Sequence, residues 1–269
     1  MIELFQQDER KNDRQSSKGN QLKWENRGIW YKADYTGYEG LAEYMISHLL
    51  AKSTLSSDEF VLYDLEQIQY RSTVYTGVKS QNFLKEGWQI ITLERLFKNF
   101  FGESLYKAIY QIQEPGQRLL FLVNQTVRVT GLKDFGAYLN KLFTIDAVFL
   151  NEDRHTHNIA VLMNADGDFA YCPIFDQGAG LLSDTAMDYP LEGEVHEWMR
   201  LARAKTICAD FDEQLELSEK LYGKNLRFTF TRQHVTELLD HADIYSECVR
   251  MRVQQIIYEQ MRKYAYLFN

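Results

Sequence analysis

Asn151 to Leu162 reads NEDRHTHNIAVL, and the chain continues through MNADGDFAYCPIFDQG to Gly178. Four ionisable residues, Asp153, Arg154, His155 and His157, and then Asn158, stand directly before an apolar run. Two short apolar stretches flank NADGD, a hairpin turn signal. With Gly167 taken as the centre, Asn158 lies nine residues before it and Asp176 nine after. Symmetric pairing would make these side chains cross-strand neighbours, about 4.5–5.5 Å apart between Cβ atoms. An amide oxygen and a carboxylate that close are two hard oxygen ligands, suited to a magnesium ion that also holds substrate phosphates. Asp153 falls in the loop leading into the hairpin. The loop and the far end of the hairpin are therefore expected to converge on one point.

Upstream, GIWYKADY (Gly28–Tyr35) is short and aromatic enough for a strand. TGYEGLAEYMISHLLAK reads as a helix with Thr36 as its cap and with Glu39 and Glu43 one turn apart. FVLYDLEQIQY (Phe60–Tyr70) alternates with a change of phase near Glu66 that suggests a bulge. TVYTGVKSQNFL (Thr73–Leu84) alternates again. These runs predict an antiparallel sheet carrying one helix. From TLERLF onward the pattern is helical, including Asp134–Phe149 and a final helix from about Ile244 to Leu267. The chain thus divides into a β-rich part, residues 1–84, and a mainly helical part, 85–269, that contains the hairpin. Residues 6–28 are almost entirely polar and read by composition as a flexible tail.

A chain of 269 residues has room for two such lobes. Hydrophobic residues at 45% and charged residues at 25% are ordinary for a globular protein. The formal charge of −8 predicts no general attraction to nucleic acid or anionic membrane. Three scattered cysteines, Cys172, Cys208 and Cys248, form neither a disulfide framework nor a zinc set, which points to a reducing cytoplasm. No apolar run has the length of a membrane span, and the N-terminus lacks the apolar segment of a signal peptide. His155 and His157, two apart with no cysteine nearby, are a poor zinc pair. His155 reads better as a brace for the loop and His157 as partly exposed.

Phosphoryl transfer needs a metal against the phosphates, an acid to orient or deprotonate the attacking hydroxyl, and a cation near the bridging phosphates. Asn158 and Asp176 are the candidate metal ligands, Asp153 the candidate base, and Lys32 the candidate cation. A lysine in that position needs a carboxylate to hold it, and Glu43 or Glu39 is available.

With those residues in place, DRHTHN followed eighteen residues after its Asn by the Asp of IFDQG resembles the HipA family of bacterial serine/threonine kinases. In that family the His-Arg-Asp order of protein kinases is reversed while the Asp-x-x-x-x-Asn spacing is kept. The WYK lysine, the GYEGLAEYMISHLL helix, YTGVKSQNFL and LERLF are also similar to compact members. The resemblance runs from Ser16 to the C-terminus. It implies an α+β, bilobal protein-kinase-like fold with a small antiparallel-sheet N-lobe and a mainly helical C-lobe, using ATP and Mg²⁺. It implies Asp153 as base, Asn158 and Asp176 as metal ligands and Lys32 as phosphate lysine, with Glu43 fitting the helix spacing better than Glu39 as its partner. Ser17, Gly19 and Asn82 are implied near the nucleotide. SSKGNQLK falls where the family has its phosphate-covering loop, which makes Ser16 and Ser17 candidate autophosphorylation sites and replaces the tail reading there. The implied partners are a protein substrate, such as an aminoacyl-tRNA synthetase or other translation factor, and an antitoxin-type regulator.

Two departures stand out. The chain is shorter than the founding HipA proteins, which places their mode of antitoxin binding in question, and Asp-Gln-Gly (Asp176–Gly178) replaces Asp-Phe-Gly. Two other readings accompany an active protein kinase: a nucleotide-binding pseudokinase, and a small-molecule phosphotransferase of the same fold.

Overall fold

The computed structural model describes residues 1–10 and 21–268. Ser16, Ser17 and Gly19 lie outside the described residues. In chain order the elements are β1 (Ile2–Leu4), β2 (Lys23–Asn26), β3 (Ile29–Ala33), α1 (Glu39–Leu50), β4 (Asp64–Tyr70), β5 (Thr73–Gln81), β6 (Trp88–Thr92), α2 (Leu93–Phe101), α3 (Leu105–Gln111), α4 (Pro115–Thr130), α5 (Phe135–Phe149), β7 (Ala160–Asn164), β8 (Phe169–Tyr171), α6 (Val195–Leu201), α7 (Phe211–Tyr222), α8 (Arg232–Asp240) and α9 (Glu247–Lys263). They form two compact units. One takes in Met1–Phe83, Phe175–Ala202 and Arg227–Asn269, and the other Leu84–Ile174 and Arg203–Leu226.

The first unit is built on a five-stranded sheet of order β1-β4-β5-β3-β2, antiparallel except for the parallel β1–β4 pair. On one face Tyr31, Ala33, Ile68 and Tyr70 pack with Leu4 and Trp24. Strand alternation sends Lys32 to the opposite face, where α1 packs. Gly77 of β5 lies opposite Ala33, and a Cβ there would stand 2.0 Å from the Lys32 carbonyl oxygen, so only glycine permits this approach.

Several sequence expectations fail locally. The polar stretch 6–28 is not all tail, because Lys23–Asn26 is β2. Arg27 (φ 53°) and Gly28 (φ 79°) close a two-residue hairpin into β3, and Trp24 is fully buried. β4 carries no bulge: its register with β5 is unbroken from Asp64↔Lys79 to Tyr70↔Thr73. The phase change arises because residues 60–63 precede the strand. Thr36 does not cap α1, which starts after Tyr38. The last helix is shorter than expected, running from its Ser246 cap to Lys263.

Asp34, just past β3, accepts from Gly40 N–H at 2.5 Å and from Thr76 Oγ1 and the Tyr245 hydroxyl at 2.8 Å each. Burial pushes its carboxyl up to about 7 against these donors, which favour the ionised form. A carboxyl raised above its unfolded value contributes stability that is fully present below about pH 4 and is lost as pH rises through about 7. Denaturant melts across this window should show Asp34→Asn with a flatter decline than the parent. Equal slopes would refute the assignment.

In the second unit α5 is the central helix, with Phe135, Leu139, Leu142, Phe143 and Phe149 buried. α7 packs against it, and a three-stranded sheet of order β6-β7-β8 carries the hairpin.

Candidate functional site

The hairpin forms, but its register differs from the expected one. Val161 faces Tyr171 and Met163 faces Phe169, so the turn centres on Asp166. Asn164 Oδ1 accepts from the N–H groups of Asp166 and Asp168, and Gly167 takes the left-handed position (φ 87°) at the end of a three-residue loop. Pairing ends at Val161↔Tyr171, so Asn158 and Asp176 belong to no cross-strand pair of this ladder.

Asp176 sits instead in the first unit, in a left-handed backbone conformation (φ 62°) that costs a non-glycine residue energy. Its Oδ1 accepts from Lys32 Nζ at 2.8 Å. The same ammonium donates to Glu43 Oε1 at 2.6 Å and lies 5.0 Å from the centre of the Tyr63 ring. Burial alone would depress the Lys32 ammonium, but Asp176 and then Glu43 outweigh it and hold its pKa well above the usual lysine range. Glu43 is buried, and its Oε2 accepts the backbone N–H of Gln177 at 3.0 Å. One carboxylate on α1 thus fixes both the lysine and the backbone following Asp176.

Glu39 does something else. It reaches back to accept from the N–H groups of Tyr35 (3.1 Å), Thr36 (2.8 Å) and Gly37 (3.2 Å) and from Thr36 Oγ1 (2.7 Å). It holds the chain leading into α1, and Glu43 alone of the two is hydrogen-bonded to Lys32. Glu39→Ala should cost about 1–3 kcal/mol of stability, the usual loss when donors to a charged group go unpaired. A denaturation midpoint unchanged from the parent would contradict this role.

In the second unit Asp153 opens a tight loop. Asn158 Nδ2 donates to Asp153 Oδ2 at 2.7 Å and to its carbonyl at 2.8 Å. Both contacts use the amide nitrogen, so Asn158 Oδ1 is uncommitted among the described residues and is a hard oxygen available to a cation. His155 Nε2 lies 3.4 Å from Asp153 Oδ1, and burial lowers the imidazole's pKa. His155 therefore braces the loop, as the sequence suggested, and His157 is exposed. Among the described residues no group of three or more His, Cys, Asp or Glu is placed to hold a metal.

Sequence reasoning missed what supports this loop. Asp146, fully buried near the end of α5, pairs with Arg154 Nε at 3.2 Å and accepts from Asn151 Nδ2 at 3.0 Å. Burial raises its carboxyl to about 6 although Arg154 opposes the shift. Arg154 Nη1 donates in turn to the Asn158 carbonyl at 3.1 Å, and Thr206 Oγ1 donates to the Arg154 carbonyl. A single acid in the apolar run FTIDAVFL was the available signal. Asn82, at the end of β5, is exposed, and its N–H donates to the Gly28 carbonyl at 2.8 Å. Among the described residues no helix is long and apolar enough to cross a membrane.

No protein-family model matches the chain, and no curated protein matches it. Among solved structures it is similar to the Helicobacter pylori proinflammatory kinase CtkA, with a TM-score of 0.58 and 14% identity over 91% of this chain and 88% of that one. It is also similar to Shewanella oneidensis HipA, solved with HipB and operator DNA, with a TM-score of 0.49 and 11% identity over 87% of this chain and 58% of that one. The first shows the fold: an α+β, kinase-like chain with an antiparallel-rich sheet and a mainly helical remainder, as the sequence led us to expect.

Proposed function

We propose that this chain is an ATP- and Mg²⁺-dependent kinase that transfers the γ-phosphoryl group to a serine or threonine of a protein. The observation that carries the reading is the buried Lys32 ammonium held between Glu43 and Asp176, with Glu43 also fixing the Gln177 backbone. A cation kept charged at such a point suits the bridging phosphates of ATP. Asn158, through its uncommitted Oδ1, and Asp176 would hold the magnesium, a donor set of the kind that leaves room for phosphate oxygens and water. When bound, the ion neutralises phosphate charge. Residues 1–84 serve as the nucleotide lobe and 85–269 as the acceptor lobe, with Ser17, Gly19 and Asn82 near the nucleotide.

The Asp153 carboxylate accepts the proton of the acceptor hydroxyl as that oxygen bonds to the γ-phosphorus. The bond from phosphorus to the β–γ bridging oxygen breaks, and ADP leaves with the electron pair. Asn158 Nδ2 and His155 Nε2 keep Asp153 oriented for this step. Ser16 or Ser17 is an acceptor in the chain itself. Phosphate there would add roughly −2 charge next to bound nucleotide and oppose its binding. A translation factor such as an aminoacyl-tRNA synthetase as substrate, and an antitoxin-type regulator, are proposals from the motif resemblance alone.

Incubation with γ-labelled ATP and Mg²⁺, followed by intact mass and peptide mapping, tests the reading. One phosphate gained at Ser16 or Ser17, absent in Asp153→Asn, is the expected result. Tight ATP binding with no transfer to the chain, to protein pools or to metabolite pools would favour a pseudokinase. Transfer to metabolites alone would favour a small-molecule phosphotransferase.

A further inference from the structure

His155, which braces Asp153, also lines a cavity of about 600 Å³ in the second unit. Tyr106, Tyr110, Arg118, His157 and Lys205 contribute to its wall, and among the described residues no Asp or Glu does. Arg118 is locked in place: Nε donates to the Ile112 carbonyl at 2.7 Å, Nη1 to the Ile207 carbonyl at 2.8 Å, and the guanidinium lies 4.7 Å from the centre of the Tyr110 ring. These contacts hold the cation without neutralising it. Lys205 is exposed, and among the described residues neither it nor Arg118 is paired with a carboxylate. The acids around the wall are engaged elsewhere: Glu94 Oε2 accepts from the Tyr106 N–H and Thr156 Oγ1 at 2.9 Å each, Asp153 Oδ1 lies 3.4 Å from His155 Nε2, and Asp210 accepts the N–H groups of Asp212 and Glu213 at the start of α7.

Two cations without a carboxylate partner, in a wall shared with the residue that braces the candidate base, are conspicuous on a chain of formal charge −8. Tyr106 and Tyr110, 48% and 38% exposed with ring centres 4.7 Å apart, add an aromatic surface of the sort an extended peptide covers. We propose that this cavity selects the protein acceptor by binding an acidic side chain that flanks the serine or threonine presented to Asp153. The proposal rests on the reading of Asp153 as the base. Nucleic acid is the weaker match, because a chain of formal charge −8 exerts no general attraction on phosphates.

The test uses the full chain carrying Asp153→Asn and fluorescein-labelled serine peptides flanked by Glu, Ala or Lys. Anisotropy titrations should show the Glu-flanked peptide binding roughly tenfold more tightly than the Ala-flanked one, half-buried Arg118 and exposed Lys205 contributing together. The preference should collapse in about 1 M salt, where screening acts over about 3 Å. Adding Lys205→Glu, an exposed change that leaves the fold alone, should abolish or reverse it. The unsubstituted chain is given γ-labelled ATP and the same peptides, with the acid preference expected in KM rather than kcat. Acid-selective binding without transfer supports the cavity and overturns the reading of Asp153. Transfer without acid preference, or equal binding of all three peptides, overturns the cavity. Displacement of the Glu peptide by a lower concentration of single-stranded oligonucleotide also overturns it.

Discussion

Asp153→Asn is expected to lower phosphoryl transfer by about 10²–10⁴-fold, the range a positioned general base supplies, while leaving the fold and ATP binding in place. The physical reason lies in the loop. Asn can still accept the Asn158 amide through its side-chain oxygen, so the hydrogen bond at 2.7 Å has a replacement, but it cannot take the acceptor proton. Thermal melting should therefore move by only a few degrees, while transfer to any acceptor nearly disappears. A variant that keeps transfer within threefold of the parent would remove Asp153 from the mechanism. Asp176→Ala provides the contrast, since it should weaken metal-dependent nucleotide binding as well as turnover.

Lys32→Met should affect both stability and activity. It leaves Glu43, 1% exposed, and Asp176 without the cation that stands 2.6 and 2.8 Å from them. Removing one member of a buried ionic group costs about 3–5 kcal/mol, because the remaining charge is desolvated and unpaired. For a chain of this size that corresponds to a melting point lower by roughly 10 °C. Lys32→Met combined with Glu43→Gln should recover part of the loss and none of the transfer, since neutralising the carboxylate relieves burial but supplies no phosphate cation. A single variant that melts with the parent would show that the ammonium is not held as described.

The candidate pair Asp153 and Asn158 stood out in the sequence because its spacing is local. Asp-x-x-x-x-Asn is one loop, and its hydrogen bonds from Asn158 to Asp153 span only those residues. Strand β3 was readable from its short aromatic run and helix α1 from its periodicity, while the candidate pairing of Lys32 with a glutamate of α1 came from the needs of phosphoryl transfer and the family resemblance. Choosing between Glu39 and Glu43 required the path of the chain into α1, where three backbone N–H groups claim Glu39.

Other features depend on segments distant in the chain. The polar residues around β2 resemble a tail until Arg27 and Gly28 turn Trp24 into the core. Asp146 and Thr206 meet Arg154 only because a helix end and a distant segment pack around the loop.

By itself, then, the sequence determined which residue types stand at chemical spacing and which strands and helices carry them, since these depend on neighbours a few positions apart. The tertiary structure alone decided the hairpin register, where a three-residue turn outweighed symmetry about Gly167. It also decided where Asp176 points. A left-handed backbone at Asp176 and a buried Glu43 bonded to the Gln177 amide place that carboxylate on Lys32, a contact between residues 144 positions apart that no short-range pattern encodes.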